Sequence, residues 1–117
     1  MKENFNVATP TKENIDYAFK NLIYYANSCI ELEEYSNYKD EFKKVLYKIN
    51  KLLSIYVNKN DIELISDNDL NEIKLDLIDL DVETQKLNSR FAGYLLIWIE
   101  AIISLKMMKK KGGKNAW

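Results

Sequence analysis

Apolar residues recur at helical spacing through the first third of the chain. One stripe advances in alternating steps of four and three residues, and it consists of Ile15, Phe19, Leu22, Ala26 and Cys29. Just before it, Thr9 is a suitable N-cap and Pro10 suits the first helical position, where its missing N–H costs nothing. The pattern predicts a first helix over residues 10–34.

A second stripe with the same spacing follows a short polar break. Tyr35-Ser36-Asn37 separates the two stripes, and Asn37 is a suitable N-cap because acidic residues occupy the turn after it. The stripe consists of Phe42, Val45, Leu46, Ile49, Leu52, Leu53 and Tyr56. It predicts a second helix over residues 37–58, which Asn58-Lys59-Asn60 ends.

The segment 61–82 is compatible with two structures. Ser66 is followed by acidic residues, which is typical of a helix N-cap, and apolar residues then recur at helical spacing. The same segment also alternates apolar and polar positions, which would suit a short β-hairpin of 61–65 with 73–82. We favour a helix over 67–87, because no turn glycine joins the two runs and an isolated hairpin is only marginally stable.

The last apolar stretch differs from the others because it is apolar on all sides. From Phe91 to Leu105 every residue is apolar or small except Glu100. Helical spacing continues into it without a break, so 67–111 is either one long helix or two helices with a corner at Asn88-Ser89. In the second case the last helix covers 89–111, with lysines near its end and a glycine as its stop.

Together these segments predict an all-α bundle of three or four helices with a very apolar C-terminal helix. We expect one domain over residues 9–111, an N-terminal arm over 1–8 and a basic tail over 112–117. A chain of 117 residues is long enough to bury one core. The predicted core consists of Ile15, Phe19, Leu22, Ala26, Phe42, Leu46, Ile49, Leu53, Leu77, Leu87, Phe91, Leu95, Trp98 and Ile102.

Composition restricts the chemistry of the chain. It contains no histidine and one cysteine, Cys29, which excludes Ser-His and Cys-His catalysis, histidine-ligated zinc and an internal disulfide. We therefore predict no catalytic residue, no metal site and no cofactor. The first residues contain no apolar stretch of the length that a signal peptide needs, and a lone cysteine suits a reducing compartment, so we expect a cytoplasmic protein.

One enzymatic alternative depends on carboxylates. Glu31 and Glu34 form an E-x-x-E pair, and Asp76 and Asp79 form a D-x-x-D pair. All-α nucleoside-triphosphate pyrophosphatases hold magnesium between carboxylates of adjacent helices, and the substrate phosphates complete its coordination. Both spacings are common by chance, so a magnesium-dependent phosphohydrolase is the alternative and not the main hypothesis.

Charge is segregated although the net charge is only −1. Residues 61–83 carry nine acids against Lys74 alone. Such a segment could bind the basic surface of a partner protein, and we predict an acidic contact surface at Asp69, Glu72, Asp76 and Asp79. The single arginine, Arg90, argues against direct nucleic-acid binding, since duplex recognition relies on the planar guanidinium group.

The apolar C-terminal helix predicts a second contact surface. In a four-helix bundle each helix keeps some outward surface, so an all-round apolar helix is incompletely covered. We expect Leu96, Ile97, Ile99 and Ile103 to form an apolar interface with a second copy or another protein. A membrane span is disfavoured, because the apolar stretch has fifteen residues, interrupted by Glu100, where about 20 are needed.

Tyrosine is frequent, with eight residues in the chain. Those that lie outside or beside the apolar stripes are Tyr24, Tyr25, Tyr35, Tyr38 and Tyr47. Because interfaces favour tyrosine, we expect some of these to face a partner.

These features predict a small non-enzymatic protein-binding module that acts stoichiometrically, as a homo-oligomer or with another protein. The abundance of lysine, asparagine and isoleucine is typical of AT-rich coding, which suggests a phage or mobile-element inhibitor or an assembly component. A small membrane-associated protein is the remaining alternative.

Overall fold

The computed structural model describes residues 9–112, and side chains up to residue 110. It contains four α-helices and two short 3₁₀ segments: α1 (Lys12–Glu31), a 3₁₀ segment (Glu33–Tyr38), α2 (Lys39–Lys59), a 3₁₀ segment (Ile62–Leu64), α3 (Asp67–Glu83) and α4 (Phe91–Gly112). The predicted all-α bundle is confirmed. The alternative of a hairpin within 61–82 is wrong, since most of that segment is α3. The predicted arm, and the tail beyond residue 112, lie outside the described residues.

Each helix of the bundle packs mainly against two neighbours. α1 lies between α2 and α4, and α3 lies between α4 and α2. The α1–α4 packing is the most extensive, whereas the α2–α3 packing is the thinnest. Side chains from all four helices meet in one buried cluster. Tyr25 contacts Phe91 and Tyr17 contacts Trp98, so α1 and α4 run antiparallel.

The N-terminal cap agrees with the prediction for α3 and differs for α1 and α2. The Ser66 hydroxyl caps α3 by accepting from the backbone N–H of Asn68 and Asp69, as predicted. α1 begins after Thr11, whose Oγ1 accepts from a backbone N–H at 3.1 Å, and not at Thr9-Pro10. Asn37 is not a cap, because it lies inside the first 3₁₀ segment and α2 begins after that segment without a side-chain cap.

The helix ends are set by local conformation. α1 stops at Glu31, earlier than predicted, because Leu32 has an extended backbone. α2 ends close to the predicted position, where Asn60 adopts a left-handed conformation with φ of 53°. Asparagine is among the few non-glycine residues that tolerate this region, so the polar Asn58-Lys59-Asn60 run does end the helix.

α3 and α4 are two helices joined by a corner. α3 ends at Glu83, four residues before the predicted 87, and α4 starts at Phe91. The Glu34 carboxylate accepts hydrogen bonds from the backbone N–H of Asn88 at 2.6 Å and of Ser89 at 3.2 Å. The Tyr35 hydroxyl donates to the Ser89 carbonyl at 3.0 Å and accepts from the Ala92 N–H at 3.3 Å. The first 3₁₀ segment therefore holds the corner in place.

Nine of the fourteen predicted core residues are buried: Ile15, Phe19, Leu22, Ala26, Phe42, Ile49, Leu77, Leu95 and Ile102. The other five are only partly buried, and they pack on the margin of the core: Leu46, Leu53, Leu87, Phe91 and Trp98. Among residues that the prediction placed elsewhere, Tyr35 is fully buried against Phe42, with the two rings stacked 5.3 Å apart.

Candidate interaction surface

An aromatic surface covers the junction of α1 and α4. We call it the aromatic face, and it consists of Tyr17, Tyr24, Tyr25, Tyr94, Ile97 and Trp98. Tyr24, Tyr94 and Ile97 are exposed by 61%, 42% and 56%, and the other three are partly buried. Met108, 37% exposed, lies further along the same side of α4, beyond Ala101, which is 6% exposed, and Ser104, which is partly buried. None of these positions carries a charge.

Ring contacts hold the aromatic face together across the two helices. Tyr25 lies 5.1 Å from Tyr24 and 5.2 Å from Tyr94, measured between ring centroids. Further along, the rings of Tyr17 and Trp98 meet edge to face at 5.6 Å. Such pairs restrict the side chains to defined orientations before any partner binds.

The predicted apolar interface divides between this surface and the core. Ile97 is exposed, as expected, but Ile99 is fully buried and cannot contact a partner of the folded chain. Leu96 and Ile103 are partly buried and pack against the core. The reason is helix geometry: Ile97 and Ile99 are two residues apart, which places them about 200° apart around the helix axis.

The predicted tyrosine surface is also divided. Tyr24 and Tyr47 are exposed, whereas Tyr25 and Tyr38 are partly buried. Tyr35 is buried inside the bundle, so it is not available to a partner. Tyr94, which belongs to the apolar stretch from Phe91 to Leu105, joins the aromatic face because it is 42% exposed and its ring contacts Tyr25.

The predicted acidic surface lies on α3 and is partly neutralised by α2. Lys48 Nζ forms ion pairs with Glu72 at 2.6 Å and Asp76 at 2.7 Å. These hydrogen bonds raise the pKa of Lys48, and the bond to Lys48 lowers the pKa of Glu72. Asp69 and Asp79 are exposed, and Asp79 lines a groove of about 440 Å³ between α2 and α3. The four acids therefore do not act as one uniformly negative surface.

Two of the four carboxylates of the enzymatic alternative have structural partners. Glu34 binds the backbone of the α3–α4 corner, and Asp76 is paired with Lys48. Within the part of the chain that the structure describes, no three Asp, Glu or Cys side chains come together in a group that could hold a metal ion.

One lysine near the end of α4 belongs to the protein interior. Lys106 is 7% exposed, and its Nζ donates to the Ile65 carbonyl and to Asp67 Oδ1. The hydrogen bond from Lys106 lowers the pKa of Asp67, which is the first residue of α3. Lys106 therefore anchors α4 to the start of α3 and is not part of a solvated basic end.

No protein-family model matches the sequence, and no curated protein or solved structure is significantly similar to it. Inference about function therefore depends on the surfaces of the molecule itself.

Over Phe91–Lys110, α4 is long and apolar enough to cross a membrane, because Met107 and Met108 prolong the apolar stretch. In the bundle, 39% of this apolar segment is buried, and core helices of soluble proteins can be equally long and apolar.

Cys29 lies in the core between α1 and its neighbours, and burial raises the pKa of its thiol to about 12. Because the thiolate is the reactive form, we expect Ellman's reagent at pH 8 to modify the native protein at least ~100-fold more slowly than the protein in guanidinium chloride. The absorbance of the released thiol measures both rates. Equal rates would contradict the burial of Cys29.

Proposed function

We propose that the chain is a small, non-enzymatic protein-binding module that acts by stoichiometric contact through the aromatic face. The observation that carries the proposal is the exposure of Tyr24, Tyr94 and Ile97 together on an uncharged surface. The centres of protein interfaces are depleted in charged residues and enriched in aromatic residues and methionine, which is the composition of this surface and its extension at Met108.

The arrangement of the rings also supports binding. A side chain that is already ordered loses less conformational entropy when a partner covers it. Tyr25, held between Tyr24 and Tyr94, is such a side chain, and tyrosine and tryptophan are the residues that most often dominate binding energy. The aromatic face thus combines exposed apolar area with a small loss of side-chain conformational entropy on binding.

The acidic residues of α3 have a secondary place in this proposal. Asp69 and Asp79 are exposed and could steer a basic partner toward the chain, whereas Glu72 and Asp76 are engaged by Lys48. The cytoplasmic location and the role as a phage or mobile-element inhibitor or assembly component stay predictions from the sequence.

Affinity capture from cells of the native host tests the proposal. The bait proteins are the wild type, Ile97→Glu in the aromatic face, and Val57→Glu as a matched control, since Val57 is 64% exposed on α2. We expect specific partners with the wild type and the control and at least ~10-fold lower recovery with Ile97→Glu, because burying an unpaired carboxylate in an interface is costly. Equal recovery by all three baits would refute the assigned surface.

A further inference from the structure

We propose that a second copy of this chain occupies the aromatic face, so that two protomers form a symmetric dimer. The inference rests on the proposed function, because it names the partner of the same surface. It concerns Tyr94 and Ile97 of α4 and Tyr24 of α1, which are the most exposed members of the aromatic face.

The first argument is electrostatic self-complementarity. In a two-fold dimer the same surface of both subunits meets, so each side chain near the axis lies close to its own counterpart. A charged surface repels its own copy, as the surface around Asp69 and Asp79 of α3 would. The aromatic face contains no charge, and Glu100, one turn after Ile97, forms an ion pair with Lys74 of α3 at 3.8 Å, so two copies can approach with little of this repulsion.

The second argument is area. The exposed parts of Tyr24, Tyr94, Ile97 and Met108 amount to about 400 Å² per protomer if each large side chain has about 200 Å² of accessible surface. Two protomers would therefore bury about 800 Å² from these four side chains alone. The partly buried Tyr17, Tyr25 and Trp98 add to this area, and the residues around the aromatic face would supply the rest of the ~1,200 Å² at which stable interfaces begin.

The third argument is the position of Ile97. It lies one turn after Tyr94 and one turn before Ala101, which is 6% exposed. Because Ala101 is already covered within the chain, Tyr94 and Ile97 are the exposed side chains that a second protomer would cover on this part of α4. A two-fold axis near Ile97 would bring the two α4 helices together along their outward stripes.

Light scattering over about 1–300 μM protein, with circular dichroism to verify folding, tests the dimer. We expect the wild type to approach twice the 13.8 kDa mass of the chain. Ile97→Glu should weaken the dimer at least ~100-fold, because two carboxylates would meet at the axis. Val57→Glu should dimerise like the wild type. A folded wild type that stays monomeric over the whole range would overturn the proposal.

A charge-reversal experiment tests the symmetry directly. Ile97→Glu and Ile97→Lys should each be monomeric, because like charges meet in each homodimer, and their mixture should dimerise again through opposite charges. Failure of the mixture to associate would overturn the two-fold arrangement.

Sedimentation with vesicles of anionic phospholipid tests whether the aromatic face binds a lipid surface instead. If the wild type is monomeric and binds the vesicles, and Ile97→Glu does not bind them, the aromatic face is a lipid-binding surface and the dimer proposal is overturned.

The outcomes for the dimer and for the proposed function are distinguishable. A monomeric wild type whose capture of another protein still depends on Ile97 would end the dimer but leave the binding module intact. Ile97-independent capture together with a monomeric wild type would end both.

Discussion

Replacing Tyr35 with alanine is expected to lower the free energy of unfolding by about 3–5 kcal/mol, the usual cost of removing a large buried aromatic side chain. The ring is fully buried and stacks on Phe42, and its hydroxyl bonds to Ser89 and Ala92 at the corner between α3 and α4. The substitution therefore removes both the core packing of the ring and the hydrogen bonds that hold the corner between α3 and α4. Urea denaturation followed by circular dichroism measures the effect.

Two further substitutions separate these contributions. Tyr35→Phe keeps the ring but leaves the Ala92 N–H and the Ser89 carbonyl without this partner, which should cost about 1–3 kcal/mol. Tyr47→Ala is the matched surface control, because Tyr47 is 66% exposed, and its effect should stay within about 0.5 kcal/mol. If Tyr35→Ala and Tyr47→Ala destabilised the protein equally, the placement of the first 3₁₀ segment would be wrong.

The second large effect is expected at Ile99. Ile99→Ala should lower the free energy of unfolding by about 2–5 kcal/mol, because the side chain is fully buried and its removal leaves a cavity. Ile97→Ala, with the same chemical change two residues away, should change it by about 0.5 kcal/mol or less when measured at low protein concentration. Urea denaturation of the two variants side by side gives the comparison.

This pair of variants reports the rotation of α4 about its own axis. The reverse order, with Ile97→Ala the more damaging, would mean that α4 presents its opposite side to the core. Such a result would also remove the aromatic face, since Tyr94 and Ile97 would no longer share the surface.

The sequence predicted α1 and α2 well because each has apolar residues on one side and polar residues on the other. Phe19 and Leu22 of α1, and Phe42 and Ile49 of α2, are buried as predicted. α4 has no polar side, so its sequence contains little information about its rotation. For that reason Ile97 and Ile99 could not be distinguished, and only the packing of α4 against α1 and α3 separates them.

The corner between α3 and α4 is a second feature that the local sequence pattern could not predict. Helical spacing continues through Asn88-Ser89, and no glycine or proline interrupts it. The partners that hold the corner, Glu34 and Tyr35, lie more than fifty residues earlier in the chain. No local rule of propensity or periodicity includes such distant groups, so the sequence left open whether one helix or two formed.

The aromatic face could be predicted only in part from the sequence. Tyr24 and Tyr25 stood out because they lie beside the apolar stripe of α1, and Ile97 was already a candidate contact residue. That these residues join one surface depends on which helices are neighbours in the bundle. The adjacency of α1 and α4 became visible only in the fold.

The pairing of α1 with α4 has a consequence for synthesis on the ribosome. About sixty residues separate the end of α1 at Glu31 from the start of α4 at Phe91, and α4 supplies the most extensive packing surface for α1. At about 5–20 residues per second, translation of that interval takes roughly 3–12 s. During this time the nascent α1 has α2 as its available neighbour, and the rest of its apolar stripe stays accessible to chaperones until α4 has emerged.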